Sequence, residues 1–456
     1  MRRPMKIYLI SSSHYHPDGR LVKSIQYWTS AITLPYLKNL TPREHQVEFV
    51  DELMHDVNLN TDADLIGITA MGPQIARAYD LADLYRRRGK KVVLGGSWVS
   101  LNPEQALEHC DAILIGEAEY VWKDLVEDFA AGRNKVRYQA DRWHSLVGLP
   151  RVDYESLTLP LLRPDLWRKS AFYRQYFHWP VSASRGCPHP CEYCTVQTYY
   201  ERSFRSRPVE EVVEDFRVIQ SIGGKKVLIL DDNPIGNVSY AKELFRALIP
   251  LKMAWASQCT INIARNKELL SLAARSGCRT LSIGLESVSQ ENLEELSKGF
   301  NKAPRFVEDL KAIRDHGIQV IALMMVGLDG DTTAAFQKTL QFLVDNKITF
   351  LKLFTPCPYP GTKYFADMDQ AGRILSKDWN RYDYGSPLVQ PTHMTPDEMM
   401  DGFNWLYKEF YSLPNIVRRM APPPKGNYLE SLFYVVANLK INKYLRKNPQ
   451  AWGTIS

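Results

Sequence analysis

The chain has 456 residues, 45% of them hydrophobic and 24% charged, and carries a net charge of +6. That length holds two or three domains with cores of their own, and the mild positive balance permits an anionic partner without calling for nucleic acid. The apolar run at residues 7–10 is too short for a secretory or membrane-spanning segment, and seven cysteines, an odd number, in a chain of this size exclude a small disulfide-stapled scaffold, so the chain reads as cytoplasmic and reducing.

In residues 1–133, short β-branched runs alternate with amphipathic stretches. Residues 6–12, 46–51, 64–70, 91–96 and 112–117 read as strands, several of them apolar on both faces, as in a parallel sheet buried between helices. Residues 73–88 and 103–109 have helical periodicity and open on proline, which a first helical turn tolerates. The pattern predicts a Rossmann-like, doubly wound α/β domain, and such folds bind ligands outside the carboxyl ends of their strands. Those ends are Ser11-Ser12-Ser13, Thr69-Ala70-Met71-Gly72, Gly95-Gly96-Ser97-Trp98 and Gly116-Glu117-Ala118-Glu119. Glycines there let backbone approach a ligand, and hydroxyls add hydrogen bonds without bulk; a Gly-Gly pair equally fits a tight turn.

Residues 134–180 read as a loop-rich linker. Strands at 181–184, 227–231, 253–259, 280–285, 319–326 and 349–354, with helices at 209–222, 240–248, 267–276, 304–316 and 332–345, then predict a partial (β/α)6 TIM-type barrel over residues 181–390. Chemistry in such barrels lies at the C-terminal ends of the strands. Those ends carry Leu230-Asp231-Asp232-Asn233, Ser257-Gln258, Gly284-Leu285-Glu286-Ser287, Gly327-Leu328-Asp329-Gly330-Asp331 and Pro356-Cys357-Pro358-Tyr359-Pro360-Gly361-Thr362. The aspartate pair alone reads equally as a magnesium site or a helix N-cap, and Cys357 as a hydrogen donor or a buried structural thiol. Residues 391–456 read as a small helical region broken at Pro422-Pro423-Pro424. Within it, residues 428–447 combine aromatic and apolar side chains with Lys440, Lys443, Arg446 and Lys447. That pattern fits either peripheral contact with an anionic membrane or packing on the barrel.

After the first barrel strand comes Cys187-Pro188-His189-Pro190-Cys191-Glu192-Tyr193-Cys194. Three closely spaced thiolates are one short of the four that close a [4Fe-4S] cluster, which leaves one iron for an exchangeable ligand. A zinc site completed by His189 would crowd four ligands into eight consecutive residues. Cys110, Cys259, Cys278 and Cys357 stand alone.

This CxxxCxxC run, with Tyr193 before its third cysteine, resembles the cluster motif of the radical S-adenosylmethionine (SAM) superfamily. The resemblance implies a [4Fe-4S] cluster on Cys187, Cys191 and Cys194 with SAM at the open iron. It places Tyr193, Asp231, Asp232, Gln258, Glu286, Ser287, Val326 and Gly327 around SAM, although Asp231-Asp232 lacks the common Gly-Gly-Glu spelling. Residues 64–69, 93–98, 102–106 and 115–119 resemble the cobalamin-binding domain of the B12-dependent branch. That implies a cobalamin site formed by Ser12, Thr69, Ala70, Met71, Gly95, Gly96, Ser97, Trp98, Gly116 and Glu117. The DxHxxG motif is missing and Trp98 stands where relatives often have histidine, so no protein nitrogen is implied below the cobalt; a Rossmann-like domain that has lost its cofactor is the alternative. The implied function is radical cleavage of SAM and hydrogen abstraction from an unactivated carbon, ending in cobalamin-dependent C-methylation. Ring formation, C–C coupling and rearrangement are alternative outcomes, and a non-catalytic cobalamin or iron-sulfur sensor is the alternative of another class. A methylthiotransferase is disfavoured, because its N-terminal domain would need three cluster cysteines and this one offers only Cys110. The implied partners are a small-molecule or lipid substrate and a one-electron reductant such as flavodoxin or ferredoxin, with no nucleic acid.

Overall fold

The computed structural model describes residues 3–16, 18–23, 29, 31–141, 143–154, 157, 178–420 and 428–447. Its first sheet is wholly parallel and contains β1 (Lys6–Ser11), β2 (Gln46–Asp51), β3 (Leu65–Thr69), β4 (Lys91–Gly95), β5 (Ala112–Ile115) and β6 (Arg137–Gln139), in the order β2-β1-β3-β4-β5-β6. Strands β1 and β3 are buried on both faces because helices cover each side. The helix Gln74–Arg87 buries Ile75, Ala78, Leu81, Ala82 and Tyr85, the stripe that a 3.6-residue period produces. Strand order changes direction between β1 and β3, the switch point at which such sheets open a crevice. β6 lies inside the expected linker, so the sheet reaches past residue 133. It was hidden because only Tyr138 of its three residues is buried. Residues 158–177 of that linker lie outside the described residues, as does the Pro422–Pro424 break.

The second parallel sheet has the order β14-β13-β12-β11-β10-β7, from β7 (Trp179–Val181), β10 (Lys226–Ile229), β11 (Ala254–Cys259), β12 (Cys278–Glu286), β13 (Gln319–Met325) and β14 (Phe350–Phe354). Helices Val209–Ser221, Val238–Leu248, Lys267–Arg275, Phe306–Asp315 and Ala334–Asp345 pack on its outer face in one apolar core. The first barrel strand ends at Val181 rather than at Ser184. The chain then leaves the sheet, and β8 (Ser184–Gly186) pairs antiparallel with β9 (Phe204–Ser206), bracketing the cysteine loop. The strands meet so tightly that a Cβ at Gly186 would lie 2.0 Å from the Ser203 carbonyl oxygen.

Helix Pro396–Phe410 opens with a Thr395/Glu398 capping box and packs beside Ala334–Asp345. The hydroxyls of Tyr407 and Tyr411 donate to the Leu351 carbonyl. Helix Tyr428–Lys447 seals the N-terminal end of the barrel: Tyr434 packs edge-on against Phe350 at 5.8 Å and shares a hydrogen bond with Thr280, while Asn438 donates to the Thr349 carbonyl. Its buried Tyr434, Asn438 and Leu445 match the packing reading of that segment, and among the described residues no helix is long and apolar enough to cross a membrane. The chain after β14 does not stay with the barrel. Cys357, Tyr359, Tyr382 and Leu388 join Tyr79, Trp98 and Val99 in a single apolar cluster, so residues 357–388 complete the core of the first domain.

Candidate active site

The cysteine loop is held from beneath by carboxylates at the end of β10. Asp231, 1% exposed, accepts from the Ala183 N–H at 2.7 Å and the Ser184 hydroxyl at 2.5 Å. Burial pushes its carboxyl up to about 6 despite those donors. Asp232 accepts from the Gly186 N–H at 3.0 Å, and the Asn233 amide faces Cys187 Sγ at 3.8 Å. Expected at SAM, Asp231 has both oxygens occupied in drawing the chain out of the sheet and aiming β8, so it positions the loop. Across the loop, Glu192 pairs with Lys363 at 3.0 Å and its carbonyl accepts from the Tyr364 N–H. His189, which would complete a zinc site, instead stacks on Phe300 with ring centroids 3.9 Å apart. Among the described residues no three His, Cys, Asp or Glu side chains enclose a single metal ion. A cubane cluster has no such requirement, because it takes one thiolate at each of several iron corners. Burial raises all three thiols, Cys191 to about 12, so bound iron is what would hold them as thiolates.

Beside the loop, the register of β12 shifts between Gly284 and Glu286, and Glu286 adopts φ 63°. The shift presents its carboxylate to Lys298 Nζ at 2.6 Å and to the Tyr193 hydroxyl at 3.0 Å, and Lys298 also donates to Tyr193 at 3.1 Å. Burial works against the Lys298 ammonium, but Glu286 together with Cys191 and Cys194 outweighs it and raises the group. A side chain at position 284 would collide with this pair, since a Cβ would lie 2.5 Å from Glu286 Oε1 and 2.8 Å from Lys298 Nζ. Lys298 is absent from the sequence reading because no local pattern marks it. Ser287 accepts from the Asn292 side chain, which donates to Asp331 at 2.8 Å; Asp331 in turn accepts from the Gly327 and Leu328 N–H groups. Ser287 and Gly327 are thus joined through Asp331 of the fifth strand end and Asn292, which no pattern in the sequence marks. Gly327 also has a packing reason, as a Cβ there would lie 2.1 Å from Met399 Sδ. Val326 is buried, and Gln258 is exposed.

A cavity of about 530 Å³ separates this loop from the first sheet. Thr69, Met71, Gly95, Gly96, Ser97, Gly116 and Glu117 line one wall, and Ser184, Arg185, Thr195, Tyr199, Tyr200 and Asp232 the other. Gly96 has φ 105°, and a Cβ on it would lie 2.5 Å from the Ala70 carbonyl oxygen, so only glycine brings the backbone to this wall. Glu117 receives two arginines across the domain boundary, Arg185 at 2.7 Å and Arg205 at 2.8 Å, while Glu119 takes the other end of Arg185. Burial would raise the Glu117 carboxyl, but the two guanidiniums outweigh it and hold it below the usual range.

Four expected contacts lie elsewhere. Trp98 points away from the cavity into an aromatic cluster, 5.0 Å from Trp379, 5.6 Å from Tyr359 and 5.9 Å from Tyr382, because the first turn of helix Ser97–Leu101 turns Ser97 toward the cavity and Trp98 toward the core. Ser12 is fully buried, with its hydroxyl donating to the Gln74 carbonyl, and Ala70 is core. Cys357 is 7% exposed in that same aromatic cluster, where burial raises its thiol well above the ordinary value; the geometry is that of a structural thiol.

Comparison with known proteins names both halves. The description "B12 binding domain" matches residues 39–126, and "Radical SAM superfamily" matches residues 181–343. The chain is a radical SAM enzyme with a B12-binding domain. The bacteriochlorophyllide d C-12(1)-methyltransferase of Chlorobaculum tepidum is 28% identical over 92% of this chain and 90% of its own length. The hopanoid C-2 methylase of Rhodopseudomonas palustris is 26% identical over 74% of the chain and 64% of its own. The anaerobic magnesium-protoporphyrin IX monomethyl ester cyclase of Cereibacter sphaeroides is 25% identical over 76% and 60%. The fold is that of the radical SAM methyltransferase TsrM from Kitasatospora setae, solved with cobalamin and a [4Fe-4S] cluster bound, with a TM-score of 0.68 at 14% identity over 97% of this chain and 99% of that one. In this radical SAM enzyme, residues flanking the cysteine loop, Ser184, Arg185 and Thr195, share a cavity with the strand ends of the B12-binding domain.

Proposed function

We propose that this enzyme transfers a methyl group to a carbon atom of a small organic substrate, using SAM, a [4Fe-4S] cluster and cobalamin. One observation carries the reading: the strand ends of the B12-binding domain and the cysteine-loop end of the radical SAM domain wall a single cavity. Thr69, Gly95, Gly96, Ser97 and Gly116 would hold cobalamin through backbone and hydroxyl groups, with Trp98 turned away from it. Cys187, Cys191 and Cys194 would hold the cluster. Tyr193, Glu286 and Lys298 offer paired charges for the zwitterionic end of SAM. When bound, these groups supply a carbon-centred radical and a transferable methyl group; the protein supplies orientation and exclusion of water. Relatives named for bacteriochlorophyllide and magnesium-protoporphyrin make a tetrapyrrole the proposed substrate class. Cyclisation is the second reading, favoured by the likeness to the ester cyclase. A one-electron donor such as flavodoxin or ferredoxin completes the scheme.

Anaerobic reconstitution with iron, sulfide and hydroxocobalamin tests the proposal. The expected product holds about four irons and a cobalamin spectrum that survives desalting, and it converts SAM to S-adenosylhomocysteine under reduction in a manner lost in Cys191→Ala. Loss of cobalamin on desalting from protein whose cluster is intact would sink the reading.

A further inference from the structure

The barrel holds a cation, Lys352, that no ion pair neutralises among the described residues. In β14, Leu351 and Leu353 are buried in the outer core, so Phe350, Lys352 and Phe354 face the lumen. Lys352 stands opposite Leu323 of β13, which stands opposite Gly284 of β12, two residues from Glu286. By strand register Lys352 lies two strands from Gly284, below the strand end that carries Glu286, and neither Glu286 nor Lys298 contributes to the shift of its ammonium. Among the described residues it has neither an ion pair nor a hydrogen bond, in contrast to Lys298 on Glu286. On its own strand and the adjacent β13 the lumen-facing neighbours are uncharged, Phe350 and Phe354 on β14 and Ile321 and Leu323 on β13, while the charged Lys226 and Asp232 lie across the barrel at the two ends of β10.

Solvent reaches the side chain, while the surrounding walls alone lower the ammonium from its ordinary value, with no carboxylate to raise it. A molecule that fills this lumen displaces the water that solvates the charge. Unless it brings an anion, it leaves a desolvated, unpaired cation, which is strongly unfavourable. A single ammonium without a second cation beside it matches one negative charge, and the leucine, isoleucine and phenylalanine walls match an apolar body.

We propose that Lys352 anchors a carboxylate of an otherwise apolar substrate in the barrel lumen, so that the enzyme takes a free acid in preference to its ester. This deepens the tetrapyrrole reading above and rests on it. Fluorescence titration of the full chain with protoporphyrin IX and with its dimethyl ester tests it, and needs neither SAM nor cobalamin. Failure of cofactor retention would thus overturn methyl transfer alone and leave the acid preference readable. Wild type is expected to bind the acid about 10-fold more tightly than the diester, the effect of one charge-assisted hydrogen bond. Lys352→Met is expected to abolish the preference and Lys352→Arg to keep it, with melting temperatures confirming that both variants fold. No binding of the acid, equal affinity for acid and ester in wild type, or an undiminished preference in Lys352→Met overturns the proposal.

Discussion

Lys298 decides whether the strand end at Glu286 is a charged seat or a buried liability. Its ammonium is the only cation within hydrogen-bond reach of Glu286 among the described residues, and both side chains are under 10% exposed. Lys298→Met is expected to destabilise the fold by about 3–5 kcal/mol, because the carboxylate is left buried and unpaired; urea denaturation reads this directly. Tyr193 and Glu286 were legible from the sequence, since each sits beside a motif or at a strand end where chemistry is expected. Lys298 was not. It lies past the helix Gln290–Glu295 and reaches Glu286 only when the loop after that helix folds back across the barrel mouth. Trp98 shows the opposite failure: its place after Gly95-Gly96 is that of a ligand contact, yet a single turn of helix rotates it into the core.

At the scale of elements, the alternation of apolar runs and amphipathic stretches located the six barrel strands and their helices, because hydrophobic periodicity reports burial between layers. It missed β6, β8 and β9. Each has three residues and no apolar run, and each exists because a neighbouring backbone or a carboxylate holds it. Asp231 is such a holder. Asp231→Ala is expected to leave the Ala183 N–H and the Ser184 hydroxyl without partners, at about 1–3 kcal/mol for each buried group, and to let β8 move relative to the barrel. Iron bound per chain after reconstitution should fall although all three cysteines remain, and retention of a full cluster would show that the strut is dispensable.

Across the whole molecule, the two domains meet through charge on one side of the cavity and through an aromatic seam on the other. The charged side responds to acid. Glu117 has its carboxyl lowered in the folded protein, so the folded state binds fewer protons than the unfolded one there. The ion pairs with Arg185 and Arg205 contribute fully above about pH 4.3, the unfolded value, and are lost as pH falls through the lower folded value. Limited proteolysis at decreasing pH should cut between the domains below that point, and Glu117→Gln should show the same susceptibility at neutral pH with little further change on acidification. The aromatic seam has a temporal consequence. Trp98 and Tyr79 leave the ribosome long before Tyr359 and Tyr382, the residues that cover them; at ~5–20 residues per second that interval is roughly 15–60 s. For that time the nascent B12-binding domain shows an uncovered aromatic face to solvent or a chaperone. A chain cut anywhere before Tyr359 would carry the same exposed face permanently, which makes the N-terminal domain a poor candidate for separate expression.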